Sequence, residues 1–114
     1  MMLCVVRVGA QNPAPRVRVE VINATKIHGL ARRATHYLRD QGFDVVGIGT
    51  TAQLRDTTLV LDRTGHAEWA ARVARALSAT GRTREETRPD SSRYVDVTVL
   101  LGTSWRPPAE PFYP

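Results

Sequence analysis

Few residues in this sequence are of types and spacings that suggest catalysis. Among 114 residues there is one cysteine, Cys4, and the histidines are His28, His36 and His66. No two of these histidines stand at the spacing of a metal site, and neither a Walker phosphate loop nor a Gly-x-Gly-x-x-Gly motif is present. A nucleophile also needs a base held within hydrogen-bond reach, which no local motif provides. The sequence therefore predicts no catalytic residues, no metal site and no cofactor, and we expect a protein that is not an enzyme.

The best candidate for a binding site is the segment that links the first predicted strand to the first predicted helix. A helix N-terminus presents free backbone N–H groups, which together with a nearby lysine suit a phosphate or a carboxylate. The candidate ligand-binding residues in this segment are Asn23, Thr25, Lys26, His28 and Gly29. The same residues are also compatible with an ordinary turn, in which Asn23 ends the strand and Thr25 or His28 caps the helix.

Hydropathy patterns predict the elements that position this segment. Residues 16–21 alternate between valine and a charged residue, which indicates a strand with one buried and one wet face. An apolar stripe predicts a helix over 29–41, and Gly42 stands where a left-handed helix cap is expected. The same patterns predict strands at 43–48, 57–62 and 94–101 and a second amphipathic helix at 66–80. The charged residues 82–92 are predicted to form a surface loop.

The predicted order of elements is β-α-β-β-α-β. Because the first and last strands alternate, one face of the sheet should be open to water, and both helices can cover the other face. We therefore predict an α+β fold of two layers, a ferredoxin-like or split βαβ sheet with two helices on one face. Arg18, Glu20 and Asp96 argue against a three-layer fold, because such a fold buries both faces of its sheet.

The length fits one domain, with a segment on either side of it. Residues 1–15 are predicted to be an N-terminal segment and linker that includes a candidate extra strand, and residues 16–103 form the domain. Residues 104–114 are a proline-rich tail. We expect it to fold back so that Trp105 covers the sheet edge, and a polyproline-type ligand for a partner is the alternative. No apolar run approaches the roughly 20 residues that a membrane-spanning helix needs.

The charge balance favours an anionic partner. Lysine and arginine total 16 against 11 acidic residues, which gives a formal charge of +5. Nucleic acid, anionic lipid and an acidic cell-wall polymer all fit this balance. The outward positions of the first and third predicted strands hold no aromatic residue for stacking on RNA bases, which disfavours nucleic acid. A basic nucleic-acid-binding domain in the cytosol is kept as the second hypothesis, and an exposed edge strand also permits a homo-oligomer.

Several short stretches in order resemble the C-terminal domain of the LytR/CpsA/Psr family. They are residues 19–25, the Gly-Leu-Ala at 29–31, the Gln-Gly-Phe-Asp-Val-Val at 41–46 and the closing stretch 96–102. Ala24 departs from the pattern, because that family usually has glycine there. The resemblance covers most of the chain, and we expect a stand-alone copy of this domain, without the catalytic domain that commonly precedes it in the family.

The resemblance implies a non-enzymatic binding or interaction domain that is associated with assembly of the bacterial cell wall or envelope. The implied partners are a cell-wall glycopolymer or an envelope-assembly protein. The implied location is extracytoplasmic. Because no export signal is recognisable at the start of this sequence, we expect a membrane anchor in the full-length form.

Overall fold

The computed structural model describes residues 16–107, which form one mixed sheet and two helices. The elements in chain order are β1 (Arg18–Asn23), α1 (Leu30–Asp40), β2 (Asp44–Thr50), β3 (Thr58–Asp62), α2 (Ala67–Ser78), β4 (Thr83–Thr87) and β5 (Val97–Leu101). A short 3-10 helix, Ser91–Arg93, lies between β4 and β5. This architecture confirms the predicted α+β class. The candidate extra strand within 1–15 and the tail beyond 107 lie outside the described residues.

The sheet consists of two βαβ units with β5 between them. The strand order is β2-β1-β5-β3-β4, with β1 parallel to both β2 and β5, and β3 parallel to β4 but antiparallel to β5. The two units β1-α1-β2 and β3-α2-β4 therefore run in opposite directions. Each unit joins neighbouring strands, whereas a split βαβ unit would enclose a third strand.

Both helices cover the same face of the sheet, as predicted. A parallel βαβ crossover is nearly always right-handed. The strands of the two units run in opposite directions, and the second strand of each unit lies on the outer side of the first. Because both reversals occur together, right-handed crossovers place both helices on the same face of the sheet. The helices also contact each other, because the Tyr37 hydroxyl donates a hydrogen bond of 2.8 Å to the carbonyl of Ala76. One hydrophobic core therefore forms between this helix layer and the sheet.

Burial agrees with the predicted core at nearly every position. The buried members are Val19, Val21, Leu30, Ala34, Leu38, Phe43, Val45, Leu59, Leu61, Val73, Leu77, Val97 and Val99. Three of the predicted core residues lie outside the core between helices and sheet: Trp69 is only partly buried and packs against this core, and Leu59 and Leu61 are buried elsewhere. Side chains alternate between the two faces along a strand. In β3 it is Val60 that joins the core, so Leu59 and Leu61 are buried on the opposite face.

The prediction of a loop over 82–92 is wrong, because this segment contains β4 and the 3-10 helix. β4 pairs only with β3 and its side chains are exposed or half-buried, so its sequence Thr-Arg-Glu-Glu-Thr shows no apolar alternation. Charged residues are common on edge strands, where they discourage pairing with other chains. Backbone pairing along the whole of β3 compensates for the missing apolar side chains.

Trp105 lies in the hydrophobic core, and the expectation that it covers the sheet edge is wrong. Its side chain is fully buried and its ring lies 6.2 Å from the ring of Tyr37. A Cβ at Gly81 would come within 2.7 Å of the Trp105 backbone, so Gly81 is required for this close approach. The indole is large enough that burial outweighs the proline-rich context that favoured a surface position.

Candidate functional site

The predicted site residues line one cleft beside the start of α1. β1 and β2 are parallel, so their carboxyl ends meet at the same edge of the sheet, and the chain turns there into the helix. A cleft of about 370 Å³ opens at this place, lined by Asn23, Thr25, Lys26, Ile27, His28, Gly29 and Thr50. We call it the first-turn cleft. All five candidate residues are thus brought together, and their role in binding stays a prediction.

Asn23 and Thr25 build the turn, because their polar atoms bond to the turn itself. Asn23 Oδ1 accepts hydrogen bonds from the backbone N–H and the hydroxyl of Thr25, at 3.0 and 2.6 Å. Asn23 Nδ2 donates to the carbonyl of Ile27 at 2.9 Å, and Thr25 Oγ1 accepts from the Ile27 N–H at 3.0 Å. These buried and partly buried contacts fix the backbone of the cleft and leave little of either side chain for a ligand.

Lys26, His28 and Gly29 are the exposed members of the set. Gly29 precedes α1 with a φ of 76°, a left-handed conformation that favours glycine, and no side chain caps the helix. The first turn of α1 also contains no acidic residue. The first turn of α1 therefore supplies no negative charge to the positive end of the helix dipole, and Lys26 adds a positive charge beside it.

The second βαβ unit has an equivalent turn, which differs in its hydrogen bonds and in its charge. Asp62 ends β3, is only 2% exposed, and accepts backbone N–H bonds through Oδ1 from Thr64, Gly65 and His66 at 3.1, 2.9 and 3.2 Å. Glu68 adds an acidic residue in the first turn of α2. The start of α2 therefore holds the protein's own carboxylates, where the start of α1 holds none.

A polar network lies on the sheet face opposite the helices. Glu20 Oε2 accepts bonds of 2.6 Å from Arg93 Nε and from the Thr98 hydroxyl, and Thr98 Oγ1 accepts from Arg63 Nε at 3.0 Å. Burial alone raises the pKa of Glu20. The hydrogen bonds from Arg93 and Thr98 and the positive charges of Arg93 and Arg63 outweigh it, so this pKa is below its usual value. The network links β1, β5 and the loops beside them.

A second cleft, not predicted from the sequence, lies between the two helices. It has a volume of about 320 Å³ and is lined by Gln41, Phe43, Arg72, Arg75 and Ala76. The Arg72 guanidinium lies over the Phe43 ring, 5.5 Å from its centre. Helical spacing predicts that Arg72 and Arg75 lie on the outer side of α2. That they line one cleft with the residues after α1 depends on how the two helices pack.

Neither metal binding nor membrane spanning is evident in the part of the chain that the structure describes. Within residues 16–107 no three histidine, cysteine, aspartate or glutamate side chains come together as a metal site. In the same range neither helix combines the length and the apolarity needed to cross a bilayer.

Comparison with known proteins identifies the family. The family described as LytR cell envelope-related transcriptional attenuator matches residues 16–105. A structure titled "Solution Structure of the C-terminal domain of RV0431" is similar at 25% sequence identity with a TM-score of 0.48, covering 80% of this chain and 75% of that one. No curated protein matches. Because the family match extends over most of the sequence, this chain belongs to the LytR C-terminal domain family, a cell-envelope-related family.

Proposed function

We propose that this domain is a non-catalytic, extracytoplasmic binding module of the bacterial envelope, and that the first-turn cleft contacts its ligand. The ligand is a cell-wall glycopolymer that presents a phosphate or carboxylate to Lys26, His28 and the free N–H groups at the start of α1. An envelope-assembly protein with an acidic segment is the alternative partner. Asn23 and Thr25 serve this function indirectly, by holding the turn in shape.

The observation that supports this proposal is the missing negative group at the start of α1. In the equivalent turn of the second unit, the Asp62 carboxylate accepts three backbone N–H bonds from the residues just before α2 and so places a negative charge near its start. In the first unit the corresponding residue is the neutral Asn23, and a cleft of about 370 Å³ lies open beside it. An anion bound there would supply the charge that Asp62 supplies in the other turn.

Family membership supports the location and the partner class. The matching family is described as cell-envelope-related, which fits an extracytoplasmic domain and a wall or envelope partner. The second hypothesis, a cytosolic nucleic-acid-binding domain, receives no support from this description. A membrane anchor in the full-length protein is part of the same proposal.

Co-sedimentation with purified bacterial cell walls tests the proposal. Walls with and without their anionic polymers are compared at low and high salt, and duplex DNA serves as a second polyanion. We expect retention on intact walls at high salt, a loss of retention when the anionic polymers are removed, and little binding to DNA. Binding to all polyanions that disappears with salt would show only that the protein is basic.

Matched charge variants connect the binding to the cleft. Lys26→Gln should reduce retention on walls, whereas Arg84→Gln, which removes one positive charge from β4, should leave retention nearly unchanged. Equal losses in the two variants would show that net charge, and not the first-turn cleft, explains the binding. Unchanged retention when the polymers are removed would point to an envelope protein as the partner.

A further inference from the structure

The cleft between the helices brings two arginines together beside a buried aromatic ring. We call it the inter-helix groove, formed by Gln41 and Phe43 after α1 and by Arg72, Arg75 and Ala76 on α2. The ion pairs among the described residues, Arg84 and Arg88 with Glu86 and Arg93 with Glu20, lie on the opposite side of the sheet or along its edge. None of these pairs includes Arg72 or Arg75. The groove therefore exposes two arginines that form no ion pair with a carboxylate within residues 16–107.

Helix geometry places these two arginines next to each other. Residues three apart on a helix are surface neighbours, and two like charges at this spacing repel each other. Both side chains are exposed along the groove. An anion between them would remove the repulsion and accept hydrogen bonds from both guanidinium groups.

The groove is held in place before any ligand arrives. Phe43 is only 4% exposed, so its ring is a fixed surface under the Arg72 guanidinium. The hydrogen bond from the Tyr37 hydroxyl to the carbonyl of Ala76 joins α1 to α2 beside the groove, since Ala76 also lines it. Little ordering of the protein is then needed on binding, which favours affinity.

We propose that the inter-helix groove is a phosphate-binding site, with Arg72 and Arg75 as the main contacts and Gln41 as an amide donor. A carboxylate has two oxygens, and one guanidinium fork is enough to engage both. A phosphate ester has further oxygens, so both forks can donate to the same group. The groove therefore suits a phosphate group carried by a larger molecule. That this molecule is an envelope polymer rests on the proposed function, whereas phosphate binding in the groove does not.

The groove and the first-turn cleft are separate sites. They lie toward opposite ends of α1, whose 11 residues extend about 16 Å. No residue lines both clefts. A result at one site can therefore be distinguished from a result at the other.

Titration of the full 114-residue chain with inorganic pyrophosphate tests the site. Arginine side-chain Nε–H signals are followed by NMR in 15N-labelled protein, and the signals of Arg72 and Arg75 are assigned by their loss in Arg72→Gln and Arg75→Gln. We expect these two signals to shift in a saturable way at physiological salt, and acetate at equal ionic strength to leave them unshifted. Absence of a saturable shift, or an equal response to acetate, would overturn the proposal.

A pair of double variants removes net charge as an explanation. Arg72→Gln with Arg75→Gln should weaken pyrophosphate binding about tenfold or more. Arg84→Gln with Arg88→Gln removes the same charge from arginines that Glu86 already pairs, and should change the Kd less than twofold. Unchanged melting temperatures confirm that both double variants are folded, as expected for exposed positions. Equal weakening in the two would overturn the assignment to the groove.

The source of the phosphate is tested separately. If the groove serves the envelope, Arg72→Gln with Arg75→Gln should also lower retention on cell walls, and Lys26→Gln should leave the pyrophosphate shifts of Arg72 and Arg75 in place. The native chain could bind pyrophosphate normally while the double variant is retained on walls as well as the native chain is. That result would contradict an envelope polymer as the source of the phosphate, but not phosphate binding in the groove. Stronger competition at the groove by duplex DNA than by the wall polymer would do the same.

Discussion

The turn after β1 and the turn after β3 occupy equivalent places, because each links the first strand of a βαβ unit to its helix. Both begin with a buried side chain that accepts backbone N–H bonds, Asn23 in the first and Asp62 in the second. Both contain a glycine with positive φ ahead of the helix, Gly29 at 76° and Gly65 at 82°. They differ in charge, since the second turn holds a carboxylate and the first holds an amide.

The difference lies in the charge beside each helix start, since neither helix has a side-chain cap of its own. Asp62 satisfies three N–H groups and places a negative charge at the start of α2. Asn23 and Thr25 bond mainly to each other and to Ile27, so they shape the turn without adding charge.

The largest expected effect is on the second turn. Asp62→Ala removes the acceptor for three backbone N–H groups at a buried site and should lower the free energy of unfolding by about 3 kcal/mol. Chemical denaturation measures this change, and Asp44→Ala, at an exposed position, is the control with an expected loss below about 0.5 kcal/mol. A loss as small as that of the control would mean that solvent satisfies these groups and that the two turns do not differ as described.

Replacement of the threonines compares the two turns at corresponding positions. Thr25 donates to Asn23 and accepts from Ile27, so Thr25→Val should cost about 2 kcal/mol of unfolding free energy. Thr64 makes one exposed side-chain contact, to His66, and Thr64→Val should cost less than about 0.5 kcal/mol. Similar melting temperatures for the two variants would contradict the structural role given to Thr25.

Asn23→Asp gives the first turn the charge of the second. The new carboxylate keeps the two bonds from Thr25 but faces the carbonyl of Ile27, to which Asn23 Nδ2 donated, so stability should fall by about 1.5 kcal/mol. Retention on cell walls should fall further than in Lys26→Gln, because the added charge occupies the anion position. Undiminished retention in a folded Asn23→Asp variant would rule out an anion at the start of α1.

The smallest effects are expected from the two glycines. Nothing lies within 4 Å of a Cβ built at Gly29 or at Gly65, so Gly29→Ala and Gly65→Ala differ from the native chain only in backbone strain, about 1 kcal/mol each. Thermal unfolding should therefore give similar losses for both. Wall retention should fall only in Gly29→Ala, since Gly29 lines the cleft, and an equal fall in both would contradict that distinction.

Much of the fold follows from local patterns in the sequence. The valines of β1 and the apolar stripes of α1 and α2 each report which face is buried, and the structure confirms these faces. In β5 the alternating valines face the core as predicted, but Thr98 on the other face is buried as well and not open to water. β4 shows no such pattern, because an edge strand with exposed side chains is specified by its neighbour and not by its own hydropathy. The burial of Trp105 does not follow from local patterns for a related reason. It depends on contacts with Gly81 and Tyr37, which are distant in sequence.

The candidate site was only partly accessible to sequence reasoning. A strand, a polar turn and a helix in order predict a turn with free N–H groups, and the five proposed residues do line one cleft. The internal use of Asn23 and Thr25 depends on side-chain geometry that spacing does not specify. The equivalence of Asn23 and Asp62 emerges only from the topology, and the inter-helix groove only from the packing of α1 on α2.

The central position of β5 has a consequence for the order of folding. β1 and β3 are not neighbours, and the sheet becomes continuous only when β5 pairs with both. The Arg18 N–H bonds to the Asp96 carboxylate across 78 positions of chain, so these contacts have a high sequence separation. During synthesis both βαβ units precede β5, and each exposes an unpaired strand edge until it arrives. Folding should therefore be limited by this late, long-range closure, with the transient species before it being the most prone to aggregate.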